Sequence, residues 1–138
     1  MEKGKVLALD YGKKRIGFAS GDLEIGIAFP RMVLENKGID FVLAKIRDIC
    51  RDLEVKVIVV GLPLSMQEDQ RENMILKDVK AFVEKLKEVF NDLEVVLFDE
   101  RLSSFEAEEL MREYKMDGPD DDLAAQIILQ RFFDKNKA

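Results

Sequence analysis

The stretch Val6-Leu7-Ala8-Leu9-Asp10-Tyr11-Gly12-Lys13-Lys14-Arg15-Ile16-Gly17-Phe18-Ala19-Ser20-Gly21 decides the fold of this chain. Its apolar opening predicts a buried strand over residues 5–10, and the tight Tyr11-Gly12-Lys13-Lys14 connection returns the chain as a second strand over residues 15–21, making a hairpin. The first strand runs straight into a carboxylate, Asp10. A second apolar run does the same further on, where Val95-Val96-Leu97-Phe98 leads into Asp99-Glu100. A sheet can hold acids at its strand ends close together, and clustered acids repel unless a cation neutralises them. A third set lies at Pro119-Asp120-Asp121-Asp122, where a proline and acids mark the start of the last helix. Three such acids brought together make a magnesium site.

Working outward from the hairpin, residues 26–34 predict a third strand, with Pro30 suiting an edge or a bulge because it has no N–H to donate. Ile39, Val42, Leu43, Ile46, Ile49, Cys50 and Leu53 then recur at helical spacing. Val57-Ile58-Val59-Val60 is apolar on both faces, as a central parallel strand requires, and ends at Gly61-Leu62-Pro63. A second helix is carried by Ile75, Val79, Phe82, Val83, Leu86, Val89 and Phe90, and a strand over residues 94–99 follows. Ser103 and Glu106 form a capping box for a helix through Ala107, Leu110, Met111 and Tyr114, and a final helix runs from about Asp121 to Phe133. The order implies an α/β fold: a mixed five-stranded sheet, three antiparallel strands then two parallel, with helices on both faces.

The 138 residues fit one domain, 1–138, which at that size buries roughly 68–70% of the unfolded surface. The apolar runs fall far short of the ~18 residues a membrane span needs, and Met1-Glu2-Lys3-Gly4 leads directly into the first strand, so a cytoplasmic protein with no membrane partner is expected. Cys50 is the only cysteine; it excludes an internal disulfide, and its place on a helical apolar stripe predicts a buried, inert thiol. The absence of histidine removes Ser-His and Cys-His nucleophiles, a histidine base and His-ligated zinc together. The net charge of −6 argues against non-specific coating of nucleic acid and leaves room for a local basic patch.

In that order of elements, Leu-Asp10-Tyr-Gly-Lys-Lys-Arg-Ile-Gly, Val-Val-Gly61-Leu-Pro63-Leu, Asp99-Glu100-Arg101-Leu-Ser-Ser and Asp121-Asp-Leu-Ala-Ala125 resemble the YqgF/RuvX family over nearly the whole chain. The resemblance implies the ribonuclease H-like fold of the RuvC junction resolvase. It also implies a nuclease, since members are described as candidate Holliday junction resolvases or as nucleases maturing the 5′ end of pre-16S ribosomal RNA. By the same resemblance the catalytic and metal-binding acids are Asp10, Glu100 and Asp121, the last fixed by its spacing to Ala124-Ala125, with Asp122 as the neighbouring candidate. Mg²⁺, or Mn²⁺, suits oxygen ligands of this kind, and a pair of such ions can serve an in-line phosphoryl displacement with no histidine.

Each of these residues also has a plainer reading. Asp10 can be an acid ending a strand at a turn, Glu100 one half of a surface ion pair with Arg101, and the Asp120–Asp122 run the acids that a helix start favours. Lys13, Lys14 and Arg15 form a basic turn suited to phosphate-backbone contact or to simple solvation. Arg101 can brace Glu100 or touch a phosphate, Ser103 and Ser104 can cap a helix or contact substrate, and Gly61 can admit a nucleic-acid backbone or merely turn the chain. One departure from the family stands out: Ser65-Met66-Gln67-Glu68-Asp69-Gln70 replaces a loop that usually carries glycine and serine. The expected activity is metal-dependent endonucleolytic cleavage of structured nucleic acid, with 5′-end maturation of pre-16S rRNA first. Resolution of four-way DNA junctions is the alternative, and a non-catalytic nucleic-acid-binding domain the third reading. A monomer suits RNA trimming, and a homodimer is needed for junction resolution.

Overall fold

The computed structural model describes residues 4–61, 70–98 and 121–136. Five strands form one sheet: β1 (Lys5–Tyr11), β2 (Arg15–Asp22), β3 (Ala28–Glu35), β4 (Val55–Gly61) and β5 (Glu94–Phe98). Three helices accompany them, α1 (Ile39–Leu53), α2 (Gln70–Val89) and α3 (Asp121–Lys135). The strand order is β3-β2-β1-β4-β5. The first three strands pair antiparallel, and β4 and β5 run parallel to β1, as the sequence predicts.

Strand alternation divides the apolar residues between two cores. Leu7, Leu9, Ile16, Phe18, Ile58 and Val60 pack beneath α1 and α2 with Val42, Ile46, Phe82 and Leu86. Val6, Ala8, Ala19, Val57 and Val59 pack on the other face with Ala125, Ile128, Leu129, Phe132 and Phe133 of α3. β1 and β4 are therefore buried on both sides, which is why their sequences show unbroken apolar runs.

Pro30 occupies both of the places expected of it. β3 is the sheet edge, and its register with β2 shifts where Phe18 faces Met32 and Ala19 faces Pro30, leaving Arg31 as the extra residue of a bulge. Cys50 is buried on α1, where burial, reinforced by the negative charge of Asp92, pushes its thiol up from 9.0 to about 11. The Ser103–Tyr114 helix expected from the sequence lies outside the described residues. Among the described residues no helix is long and apolar enough to cross a membrane.

Candidate active site at the carboxyl end of the sheet

Asp10 is the last residue but one of β1, and its side chain follows from the alternation that precedes it. Leu7 and Leu9 belong to the α1–α2 core and Val6 and Ala8 to the α3 core, so Asp10 stands on the α3 face. Only 9% of the residue is exposed. Burying a carboxylate so deeply is costly unless something compensates its charge, so its place at a strand end, rather than in the apolar middle, is chemically informative.

The register sharpens the point. Asp10 pairs with Gly17 on β2 and with Gly61 on β4, so the carboxylate is flanked on the same face by two residues that have no side chain. Gly17 was part of the first motif and carried no role there; what marks it is the pairing across the hairpin, which a linear reading does not display. At Gly61 the vacant side is filled from within the protein. A Cβ there would lie 2.5 Å from Cγ2 of Ile128 and 2.7 Å from its Cδ1. Packing of α3 against β4 thus accounts for that glycine without a ligand.

The same contacts orient α3. Ile128 sits over Gly61, level with Asp10, and Phe133 sits against Gly21, which pairs with Val6 near the start of β1. The helix therefore runs opposite to β1, with its first residue, Asp121, about two turns beyond Ile128 toward the end of the sheet where Asp10 lies. Gln126 and Gln130 fasten it to the edge. The Ala28 N–H donates to Gln130 Oε1 at 3.1 Å, and Gln130 Nε2 and Gln126 Nε2 donate to the carbonyls of Gly26 and Ala28 at 3.0 and 3.1 Å. On the other flank Phe98, the last residue of β5, is in register with Gly61, so β5 delivers its chain to the same end. Glu100, Arg101, Ser103, Ser104 and the 65–69 part of the unusual loop lie outside the described residues, as does the side chain of Asp121.

The basic turn is built as well as charged. Asn36, just after β3, donates from Nδ2 to the Gly12 carbonyl at 2.9 Å, its own N–H donates to the Lys14 carbonyl at 2.8 Å, and its Oδ1 accepts from Gly38 N–H at 3.1 Å. That clasp holds Lys13, Lys14 and Arg15, all exposed, in a fixed loop one residue past Tyr11 and Gly12. Lys13 reaches across to Asp78 of α2 at 3.6 Å. The sequence reading did not single out Asn36, whose role depends on a contact spanning 24 positions.

The donor set fits a hard divalent cation. The acids expected here from the sequence, Asp10, Glu100 and Asp121, offer oxygen only, and the chain supplies no histidine and one cysteine, buried on α1 and remote in the sequence from this strand end. Among the described residues no group of three potential ligands occurs, Asp10 being the one acid of the set whose side chain is described.

Comparison with known proteins agrees with this geometry. Residues 4–135 match the model of the RuvX family, described as Holliday junction resolvase. A Nitrosospira multiformis protein described as a candidate pre-16S rRNA nuclease is 36% identical over 98% of this chain and 91% of its own length. One from an Anaeromyxobacter species, described in the same words, is 39% identical over 97% and 99%. Among solved structures, Thermus thermophilus RuvC in complex with a Holliday junction substrate superposes with a TM-score of 0.58 at 11% identity, covering 94% of this chain and 93% of that one. At that identity the likeness establishes the fold, the ribonuclease H-like arrangement of a mixed five-stranded sheet between helices.

Proposed function

The chain belongs to the RuvX family of nucleases, and from that premise we propose that it is a divalent-metal-dependent endonuclease, a single domain over residues 1–138 whose task is maturation of the 5′ end of pre-16S rRNA in the cytoplasm. The observation that carries this reading is Asp10: a nearly buried carboxylate at the carboxyl end of a central strand, paired with two glycines and lying on the face of the sheet that α3 covers. Open sheets of this kind place their ligands outside the carboxyl ends of the strands.

Asp10, Glu100 and Asp121 are the residues that would hold Mg²⁺ or Mn²⁺. When bound, such an ion supplies charge neutralisation at the scissile phosphate and lowers the pKa of a water that can attack it. The protein's own part is positional. Asp10 is held by the register of β1 between β2 and β4, and the backbone of α3, which begins at Asp121, by the seating of Ile128 over Gly61. Lys13, Lys14 and Arg15, held by Asn36, offer cations to the phosphates beside the cut. Arg101, Ser103 and Ser104 follow Glu100 in sequence and are assigned to the same backbone contact. No histidine base is needed or present.

The relatives described as candidate pre-16S rRNA nucleases favour the RNA substrate. The family description and the junction-bound RuvC favour four-way DNA as the second reading, which requires two copies facing symmetric strands. One assay separates them: a pre-16S fragment and a four-way junction are offered side by side with Mg²⁺, with EDTA, and with Asp10→Asn protein, while sedimentation records the oligomeric state. Cleavage of the RNA alone, by a monomer and only with metal, supports the first reading. Persistence of cleavage in Asp10→Asn sinks both.

A further inference from the structure

We infer, building on the nuclease reading, that the cavity between the end of β1, the segment joining β3 to α1, and α2 receives one unstacked nucleotide of the substrate strand next to the scissile phosphate. The cavity measures about 420 Å³, within the range of sites that enclose small organic groups. Its apolar wall is made by Ile39, Ala81 and Phe82, with Tyr11 stacked on Phe82 at 4.2 Å between ring centroids and 20° between planes. Lys13, Lys85 and Asn36 supply its polar rim, together with Asp78.

That combination, the half-buried Tyr11 ring backed by the buried Phe82, with aliphatic surface beside it and lysines at the mouth, matches a nucleobase carried on a phosphate backbone, because every base has a π-face and each phosphate needs a cation. A second cavity, of about 610 Å³ and bordered by Lys14 and Arg15, shares Lys13 and Asn36 with the first. The two adjoin at the basic turn, each bordered by Lys13 and Asn36, an arrangement that suits a polymer better than a free metabolite. The clasp made by Asn36 fixes the shared wall in advance of binding, so little ordering remains to oppose it.

Placement next to the cut follows from strand alternation. Asp10 and Tyr11 are consecutive on β1 and point to opposite faces, the acid toward α3 and the aromatic toward α2. A strand crossing the end of β1 therefore meets the carboxylate and the aromatic pair in succession. In the free protein Lys13 pairs with Asp78 at 3.6 Å, a contact that a phosphate displaces.

The test is equilibrium binding, read by fluorescence anisotropy in EDTA so that nothing is cut, of a short labelled single-stranded RNA and of its duplex. Ala81 and Lys85 are exposed on α2, so Ala81→Trp, which fills the cavity, and Lys85→Ala should both fold, as circular dichroism would verify. Ala81→Trp is expected to weaken single-strand binding about tenfold and leave duplex binding nearly unchanged. Lys85→Ala should weaken it less and reduce the slope of log affinity against log salt by about 0.7, while Asp78→Asn should tighten binding. Single-strand affinity in Ala81→Trp and Lys85→Ala equal to that of the unaltered protein overturns the inference. Because the readout is binding, that result leaves the nuclease reading standing, whereas undiminished cleavage by Asp10→Asn would remove the nuclease reading on its own.

Discussion

Gly61 and Ile128 are packed so closely that a methyl group on the glycine would lie 2.5 Å from the isoleucine Cγ2. No real Cβ tolerates that distance, and the obstructing atoms belong to a fully enclosed side chain, so Gly61→Ala must push α3 away from β4. Overpacking of this kind costs roughly 1–3 kcal/mol. Denaturant titration should show that loss for Gly61→Ala, and a double variant with Ile128→Ala should be less destabilised than the two single changes added together. Under the proposed assignment of Asp121 at the start of α3 to the site, cleavage should fall in Gly61→Ala even at temperatures where it remains folded.

Asp10→Asn should separate the metal from the fold. It keeps the shape of the side chain and removes the charge that, in the proposed site, a divalent ion neutralises. Loss of even an outer partner of a metal ligand typically costs 10–100-fold, so removal of a ligand should cost at least about 100-fold in cleavage rate. Thermal melts supply the independent readout. Mg²⁺ added to the unaltered protein at about 100 times its dissociation constant should stabilise it by about 2.7 kcal/mol, whereas Asp10→Asn should melt at nearly the same temperature with and without the ion.

Gln130 joins α3 to the edge of the sheet through hydrogen bonds to both Ala28 N–H and the Gly26 carbonyl. Gln130→Ala leaves those backbone groups to find water at a partly buried position, at a cost of about 1–2 kcal/mol. Hydrogen exchange locates the damage: the Ala28 amide should exchange faster in the variant, while amides of β1 and β4, covered on both faces, keep their protection.

Much of this architecture was legible before any coordinates. Unbroken apolar runs announced β1 and β4 because both are buried on two faces, and the helical stripe from Ile39 to Leu53 gave α1 because one side of that helix meets the sheet. Asp10 could be marked as a candidate because an acid ends such a run, although a strand end at a turn explains that acid equally well and only the resemblance to the family singles it out. What could not be read were relations between distant positions. Gly17 and Gly61 flank Asp10 only once the register is set, Asn36 reaches Gly12 only once β3 has returned beside β2, and Gln126 and Gln130 look like ordinary polar helix residues until β3 lies next to them. The Tyr11–Phe82 stack joins a residue that the sequence places in the hairpin connection to one on the apolar stripe of α2, a pairing that no local pattern announces.

Glu54 ends α1 in the left-handed conformation, with φ of 55°, where its N–H donates to the Arg51 carbonyl at 3.4 Å. That conformation costs an L-residue about 1–2 kcal/mol, and glycine adopts it freely while losing about 0.5–1 kcal/mol of chain entropy on folding. Glu54→Gly should therefore stabilise the protein by roughly 0.5–1 kcal/mol and raise its melting temperature, with no change in cleavage, since this corner lies at the start of β4, at the far end of the sheet from Asp10.

Cys50 sets a limit to stability at alkaline pH. Burial, helped by Asp92, raises its folded pKa from 9.0 to about 11. Below pH 9 the thiol is neutral whether the chain is folded or not, and its burial costs nothing in ionisation. Between pH 9 and about 11 the unfolded thiol gives up its proton while the folded one keeps it, so unfolding gains free energy with every step in pH. The contribution is fully present below the unfolded value and is lost as pH rises through the folded one. Urea midpoints measured across that window should fall more steeply for the unaltered protein than for Cys50→Ala, which has no thiol to titrate. Iodoacetamide at neutral pH should label the native protein far more slowly than the urea-unfolded chain, because the reactive thiolate is scarce and the sulfur is covered. A native labelling rate equal to that of the unfolded chain would place Cys50 at the surface and remove the basis for the alkaline loss.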